Sequence, residues 1–205
     1  MSGFRLCYIT DRRALEPQPL LPRILEAITA GVDLVQVREK DLDTRACLQL
    51  AEAAVAAAAG TATRIIVNDR LDVALAVGAA GVHLGGKSMP VSAVRSCVSA
   101  GFLIGASCHS LEESLAAPAA GADFILLGPI FESASKLRYG PPLGLAKLEE
   151  VVRAISAPVF ALGGITVERA RSCLEAGASG IAGISIFQNC ESVERCVKGL
   201  RLEAS

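Results

Sequence analysis

The chain has 205 residues, 52% of them hydrophobic, and a formal net charge of -1, enough length to bury a full core in one domain. No apolar run is long and uninterrupted enough to read as a membrane span, and Met1-Ser2-Gly3-Phe4-Arg5 lacks a signal-peptide pattern, so a soluble, cytoplasmic protein is expected. Near-neutral charge with two Tyr and no Trp offers neither a basic field nor stacking platforms, which argues against nucleic-acid binding.

In chain order, short β-branched runs alternate with Ala/Leu-rich periodic segments. Strands are predicted over 5–9, 34–38, 64–67, 81–84, 103–107, 124–127, 159–162 and 180–184. Helices are predicted over 20–29, 44–59, 71–77, 91–100, 111–119, 145–155, 167–176 and 192–200. Strict β-then-α alternation implies a parallel sheet, and eight units at this length imply a single closed (β/α)8 TIM barrel over residues 1–205. No Pro/Ser-rich linker cuts it. A weak repeat agrees: Ala30-Gly31-Val32-Asp33, Ala80-Gly81-Val82-His83, Ala120-Gly121-Ala122-Asp123 and Ala176-Gly177-Ala178-Ser179 each place a Gly where a helix should stop before an apolar strand.

Seven scattered cysteines with no Cys-x-x-Cys pair read as reduced thiols used as small hydrophobes, and not as a structural zinc site. Cys108 beside His109 is read as an inert packed residue, because neighbours on an extended chain point to opposite faces.

In such a barrel, function sits where strands end and βα loops begin. The second strand ends in Val35-Gln36-Val37-Arg38-Glu39-Lys40. Period-two alternation puts Gln36, Arg38 and Lys40 on one side, where two cations and an amide form a clamp for phosphate or pyrophosphate. Glu39 reads as a solvated loop charge. The other ends carry Thr10-Asp11-Arg12, Asn68-Asp69-Arg70, His83 to Ser88, and Ser107-Cys108-His109-Ser110. The longest loop, 128–144, carries Ser133, Ser135 and Lys136, and its 132–142 portion is either a lid over a charged ligand or a plain surface loop. Gly163-Gly164 before a helix start, together with Ser185 after the last strand, is the expected phosphate site. A Gly pair serving only a tight turn is the competing reading.

Tyr8-Ile9-Thr10-Asp11-Arg12, Gln36-Val37-Arg38-Glu39-Lys40, Val67-Asn68-Asp69, Gly81-Val82-His83-Leu84-Gly85, Gly128-Pro129-Ile130-Phe131, Gly163-Gly164-Ile165-Thr166 and Ala182-Gly183-Ile184-Ser185, in this order, resemble the thiamine phosphate synthase/TenI superfamily. The resemblance implies a barrel enzyme that joins hydroxymethylpyrimidine pyrophosphate to thiazole phosphate with Mg2+, giving thiamin phosphate and pyrophosphate. It implies that Gln36, Arg38, Lys40, Asn68, Ser107 and Lys136 handle pyrophosphate and pyrimidine, with Ser133 and Ser135 standing where the synthases usually have Thr. It also puts Asp69 at a metal-ligand position, and Gly164 with Ser185 at the thiazole phosphate. Ser88 stands where the synthases usually carry a second Asp ligand, which weakens the expected Mg2+ site.

Two alternatives follow from the same residues. Ser107 to Glu113 with Phe131-Glu132-Ser133 also resembles the TenI thiazole tautomerases, in which His109 would move the proton. A non-catalytic binder of thiamin precursors is the other. His109 could equally be a helix-start residue satisfying backbone groups, and His83 is read as a satisfied barrel-end histidine. Small molecules are the expected partners, and the Ala-rich helix faces leave self-association open.

Overall fold

The computed structural model describes residues 5–132 and 141–202. Eight parallel strands close in sequence order into one barrel: β1 (Arg5–Ile9), β2 (Leu34–Val37), β3 (Arg64–Asn68), β4 (Gly81–Leu84), β5 (Leu103–Cys108), β6 (Phe124–Leu127), β7 (Val159–Leu162) and β8 (Gly180–Gly183). The helices are α1 (Arg12–Leu15), α2 (Leu20–Thr29), α3 (Thr44–Ala58), α4 (Leu71–Ala76), α5 (Val91–Cys97), α6 (Leu111–Ala119), α7 (Gly144–Ala154), α8 (Val167–Glu175), α9 (Ser185–Gln188) and α10 (Val193–Leu202). The expected (β/α)8 barrel is what the chain forms. Two one-turn helices, α1 and α9, were not expected, because four residues carry no readable period. None of the described helices is long and apolar enough to cross a membrane.

The strand pairings keep one parity all round the barrel, so every second side chain faces in. Cys7, Ile9, Leu34, Ile66, Phe124, Leu126, Phe160 and Ala182 pack together inside. The outward set, with Leu6, Tyr8, Val35, Val67, Ile104, Ile125 and Ile181, packs under the helices.

Interior volume is shared unequally between strands. The rings of Phe124 and Phe160 meet at 5.4 Å with a 59° tilt and fill the middle of the barrel. Glycines face them. A Cβ on Gly105 would lie 2.4 Å from Phe124, and one on Gly180 would lie 2.7 Å from Phe160 and 2.5 Å from the Arg5 carbonyl.

The short repeat has a structural meaning in two of its four copies. Asp33 accepts the Leu6 N–H at 2.8 Å and Arg201, while Asp123 accepts the Ile104 N–H at 2.7 Å and Arg95. In both, the same arginine also donates to the carbonyl of the repeat's glycine, Gly31 or Gly121. Gly31, Gly121 and Gly177 adopt the positive φ of a helix stop. Gly81 does not. It is the first residue of β4, where a Cβ would strike the Leu103 carbonyl at 2.2 Å, and Gly78 (φ 64) ends the preceding helix.

Because the ring faces leave no room, Gly180→Ala is expected to lower unfolding free energy by about 2–3 kcal/mol, while Gly101→Ala, with open space around it, stays within about 0.5 kcal/mol. Urea denaturation midpoints measure both.

Candidate active site

The mouth of the barrel is built where the inward parity runs out of apolar residues. Gln36 on β2 and Asn68 on β3 occupy inward positions just above Leu34 and Ile66. Arg38 follows Gln36 on the same side, level with Asn68 and one step past the last pair, Val37 with Val67. His83 on β4 pairs with Asn68, and Ser107 on β5 stands two residues above Gly105, the partner of His83. The predicted residues Gln36, Arg38, Asn68 and Ser107 therefore share one face of adjoining strands. His83 shares this face, near enough for the charges of Asp69 and Arg38 to act on its ring.

Lys40 is the exception to the clamp geometry. β2 stops at Val37, so Lys40 lies in an exposed turn and its place does not follow from strand alternation. Neither Arg38 nor Lys40 forms an ion pair among the described residues, whereas Arg12, Arg13, Arg23, Arg70, Arg95 and Arg153 each hold a carboxylate. Glu39, read above as a solvated charge, is buried and turned away from both neighbours. It accepts the Thr10 hydroxyl at 2.5 Å and the Arg12 N–H at 2.9 Å, and Thr10 in turn accepts the Arg38 N–H at 2.9 Å. Burial pushes its carboxyl pKa up, against those hydrogen bonds.

Asp69 holds a positive φ of 60°, the sole non-Gly residue to do so among the described residues, a conformation that persists only where its surroundings impose it. Its N–H bonds the His83 carbonyl at 2.9 Å, Asn68 Nδ2 donates to one carboxylate oxygen at 2.7 Å, and the Ser88 hydroxyl donates to the other. Ser88 Oγ also accepts the Gly85 N–H at 2.6 Å within a tight turn that carries Lys87, an exposed cation with no ion pair among the described residues.

His83 is not the satisfied histidine expected. Its Nε2 lies 2.8 Å from Ser107 Oγ, but its buried Nδ1 has no partner among the described residues, and burial drives its pKa down to about 3. Gln36 Nε2 is likewise buried without a partner. His109 is exposed; its Nδ1 donates to the Gly128 carbonyl at 2.5 Å and its backbone N–H to Glu113 at 2.6 Å, so it ties the fifth loop to the sixth. Cys108 is buried with its thiol pushed up to about 11, in line with an inert role.

Across the mouth, Gly163 and Gly164 have φ of 97° and 64°. A Cβ on Gly164 would meet the Glu132 carbonyl at 2.4 Å, so the pair is required by the loop packed on it: Ile130 and Phe131 donate to the Leu162 and Gly163 carbonyls. Ser185 is exposed at the start of α9, after β8. Ser133, Ser135 and Lys136 lie outside the described residues, as does most of the 132–142 loop. The residues that sequence reasoning missed, Glu39, His83 and Gly105, gave no local signal, since each acquires its role from a partner on another strand.

Glu39→Ala leaves the Thr10 hydroxyl and Arg12 N–H without an acceptor and is expected to cost about 3 kcal/mol. Because the folded-state pKa of Glu39 is raised, its contribution is full below the ordinary value of 4.5 and is lost as pH rises through the folded value. The stability gap between the native chain and Glu39→Ala should therefore be widest in acid and narrow toward neutral pH, as read by urea unfolding across pH.

The family model for thiamine monophosphate synthase (TMP-TENI) matches residues 6–187. A thiamine-phosphate synthase of Methanoculleus marisnigri is 40% identical over 97% of this chain and 94% of its own. That of Roseiflexus castenholzii is 38% identical over 97% and 88%. The solved thiamine phosphate pyrophosphorylase from Pyrococcus furiosus superposes with a TM-score of 0.87 at 35% identity, covering 98% of this chain and 95% of that one. A 3-hexulose-6-phosphate synthase, at 16% identity and a TM-score of 0.73, shares the fold alone. With a barrel of the same build, relatives matched over nearly their whole length and a family model spanning most of its residues, this chain belongs to the thiamine monophosphate synthase family.

Proposed function

We propose that the chain is a thiamine-phosphate synthase, transferring the pyrimidine methylene of hydroxymethylpyrimidine pyrophosphate to the ring nitrogen of thiazole phosphate. The observation that carries the reading is the convergence of Gln36, Arg38, Asn68 and Ser107 on one face of the mouth, beside Asp69 and cations that no carboxylate pairs with among the described residues. The relatives named above supply the reaction.

In that reaction a carbon–nitrogen bond forms at the methylene as its bond to the pyrophosphate oxygen breaks. The thiazole nitrogen carries its own lone pair, so no base is needed to create the nucleophile. The difficulty is the negative charge that gathers on the departing pyrophosphate. Fixed positive charge beside it lowers that barrier, and Arg38 with its rigid two-pronged guanidinium suits paired phosphate oxygens. Lys40 and Lys136 are assigned to the same group, Gln36 and Asn68 to the pyrimidine and pyrophosphate, and Ser107, Ser133 and Ser135 to hydroxyl contacts with it. Gly164 and Ser185 are assigned to the thiazole phosphate.

Mg2+ suits the donors that are present, since it commonly rests on one or two carboxylates and completes its shell with substrate phosphates and water. Asp69 would hold it, with the Ser88 oxygen alongside: that hydroxyl uses one lone pair on the Gly85 N–H and keeps the other. Bound there, the ion would supply further charge stabilisation for the leaving pyrophosphate. One carboxylate is a weak resident site. Free protein should bind Mn2+ feebly, and Ser88→Asp should tighten that binding at least about tenfold by electron paramagnetic resonance, because a second carboxylate adds a full ligand charge.

The direct test incubates the protein with the two substrates and Mg2+ and looks for thiamin phosphate. Product is expected, with Arg38→Ala, Asp69→Ala and Lys136→Ala each lowering kcat/KM by about a hundredfold or more. No thiamin phosphate, together with a proton-transfer activity lost on His109→Ala, would instead give a thiazole tautomerase; ligand binding without turnover would give a binder.

A further inference from the structure

His83 and Ser107 form a pair at the base of the mouth. Their hydrogen bond, 2.8 Å between Nε2 and Oγ, admits two opposite polarities, and these present opposite faces to a ligand. If the ring accepts, the serine gives its one proton to His83 and turns lone pairs toward the mouth, which repels an anion. If the ring donates, the serine proton is left for whatever sits above it.

The surroundings of the other ring nitrogen decide between them. Nδ1 is buried with no polar partner among the described residues, and it faces the Cα of Gly105, where an added Cβ would lie 2.7 Å from it. An N–H there would be an orphaned buried donor, the costlier of the two defects, whereas a bare lone pair is tolerated more readily. Nδ1 therefore carries no proton and Nε2 does. Burial, with the ring resting 6.2 Å from Phe124, keeps the imidazole neutral against the nearby Asp69 carboxylate.

We propose that His83 is a positioning residue: its Nε2–H donates to Ser107 Oγ and so turns the serine proton outward, toward an anionic oxygen held in the mouth. The proposal rests on the pyrophosphate reading of that mouth. Gly105 belongs to the same device, since no other residue leaves space for the ring in this orientation. His83 touches no substrate and acts through Ser107.

The test has two arms, both on the full chain. The sequence contains two histidines, so long-range 15N–1H spectra of the histidine-labelled protein contain two ring patterns. His83 is expected as the Nε2–H tautomer from about pH 6 to pH 8, and His109, which donates from Nδ1 to Gly128, as the opposite tautomer whenever it is neutral. An Nδ1–H tautomer at His83, or a charged ring, overturns the proposal. In the second arm, calorimetry with inorganic pyrophosphate compares variants. Ser107→Ala and His83→Phe should each weaken binding about tenfold, the double variant should be no weaker than Ser107→Ala, and His83→Gln, which keeps a donor, should lie within about threefold of the native chain. Losses that multiply in the double variant overturn the proposal while leaving the pyrophosphate reading intact. A native chain that binds no pyrophosphate overturns both. Should His83→Phe fail to fold, His83→Gln and the tautomer of the native ring still decide.

Discussion

Two phenylalanine rings that meet at a steep tilt inside the barrel are the constraint on which the rest of this structure depends. A parallel barrel can close around them only if the neighbouring strands contribute almost nothing at the same level, and Gly105 on β5 and Gly180 on β8 are those strands' contribution. The plug has a second effect. It gives the mouth a solid floor, on which the His83 ring lies, so that every inward residue above it is held at a fixed height. Rigid elements placed in this way locate polar groups far better than loops do.

Above that floor the chain treats its charges in two ways. On the helices, arginines such as Arg23 and Arg153 are neutralised by a carboxylate one turn away on the same helix. At the mouth, Glu39 lies between Arg38 and Lys40 in sequence yet points into the first loop, where Thr10 and the Arg12 amide take its oxygens. The carboxylate that lies between the two cations in sequence is thus employed in holding two loops together. Asp69 is similarly occupied by Asn68 and Ser88. The acids of the mouth are thus engaged by neutral donors, and neither pairs with Arg38 or Lys40 among the described residues.

Most of the architecture was legible in the sequence because it is written in local periodicity: eight apolar runs, each followed by an amphipathic stretch, with boundaries within a few residues of those observed. The strand ends were legible too, since a run such as Val35 to Lys40 changes character abruptly where it leaves the core. What could not be read were the consequences of contacts made around the ring. Glu39 is buried by residues 27 and 29 positions away, and β2 stops before Lys40 although the alternation continues. His83 sits in Gly81-Val82-His83-Leu84-Gly85, where no neighbour in sequence marks one ring nitrogen as unpaired. The glycine beneath it leaves one nitrogen without a partner among the described residues.

The Asp33–Arg201 and Asp123–Arg95 clasps lie where strands enter the barrel, at the end remote from the mouth, and stand four strands apart. Each ties a strand start, a glycine turn and an outer helix into one knot. Closure is thereby secured where no chemistry takes place. Replacement of side chains at the rim leaves those knots untouched, so a lineage carrying this scaffold is free to revise what it recognises while inheriting its foundations unchanged.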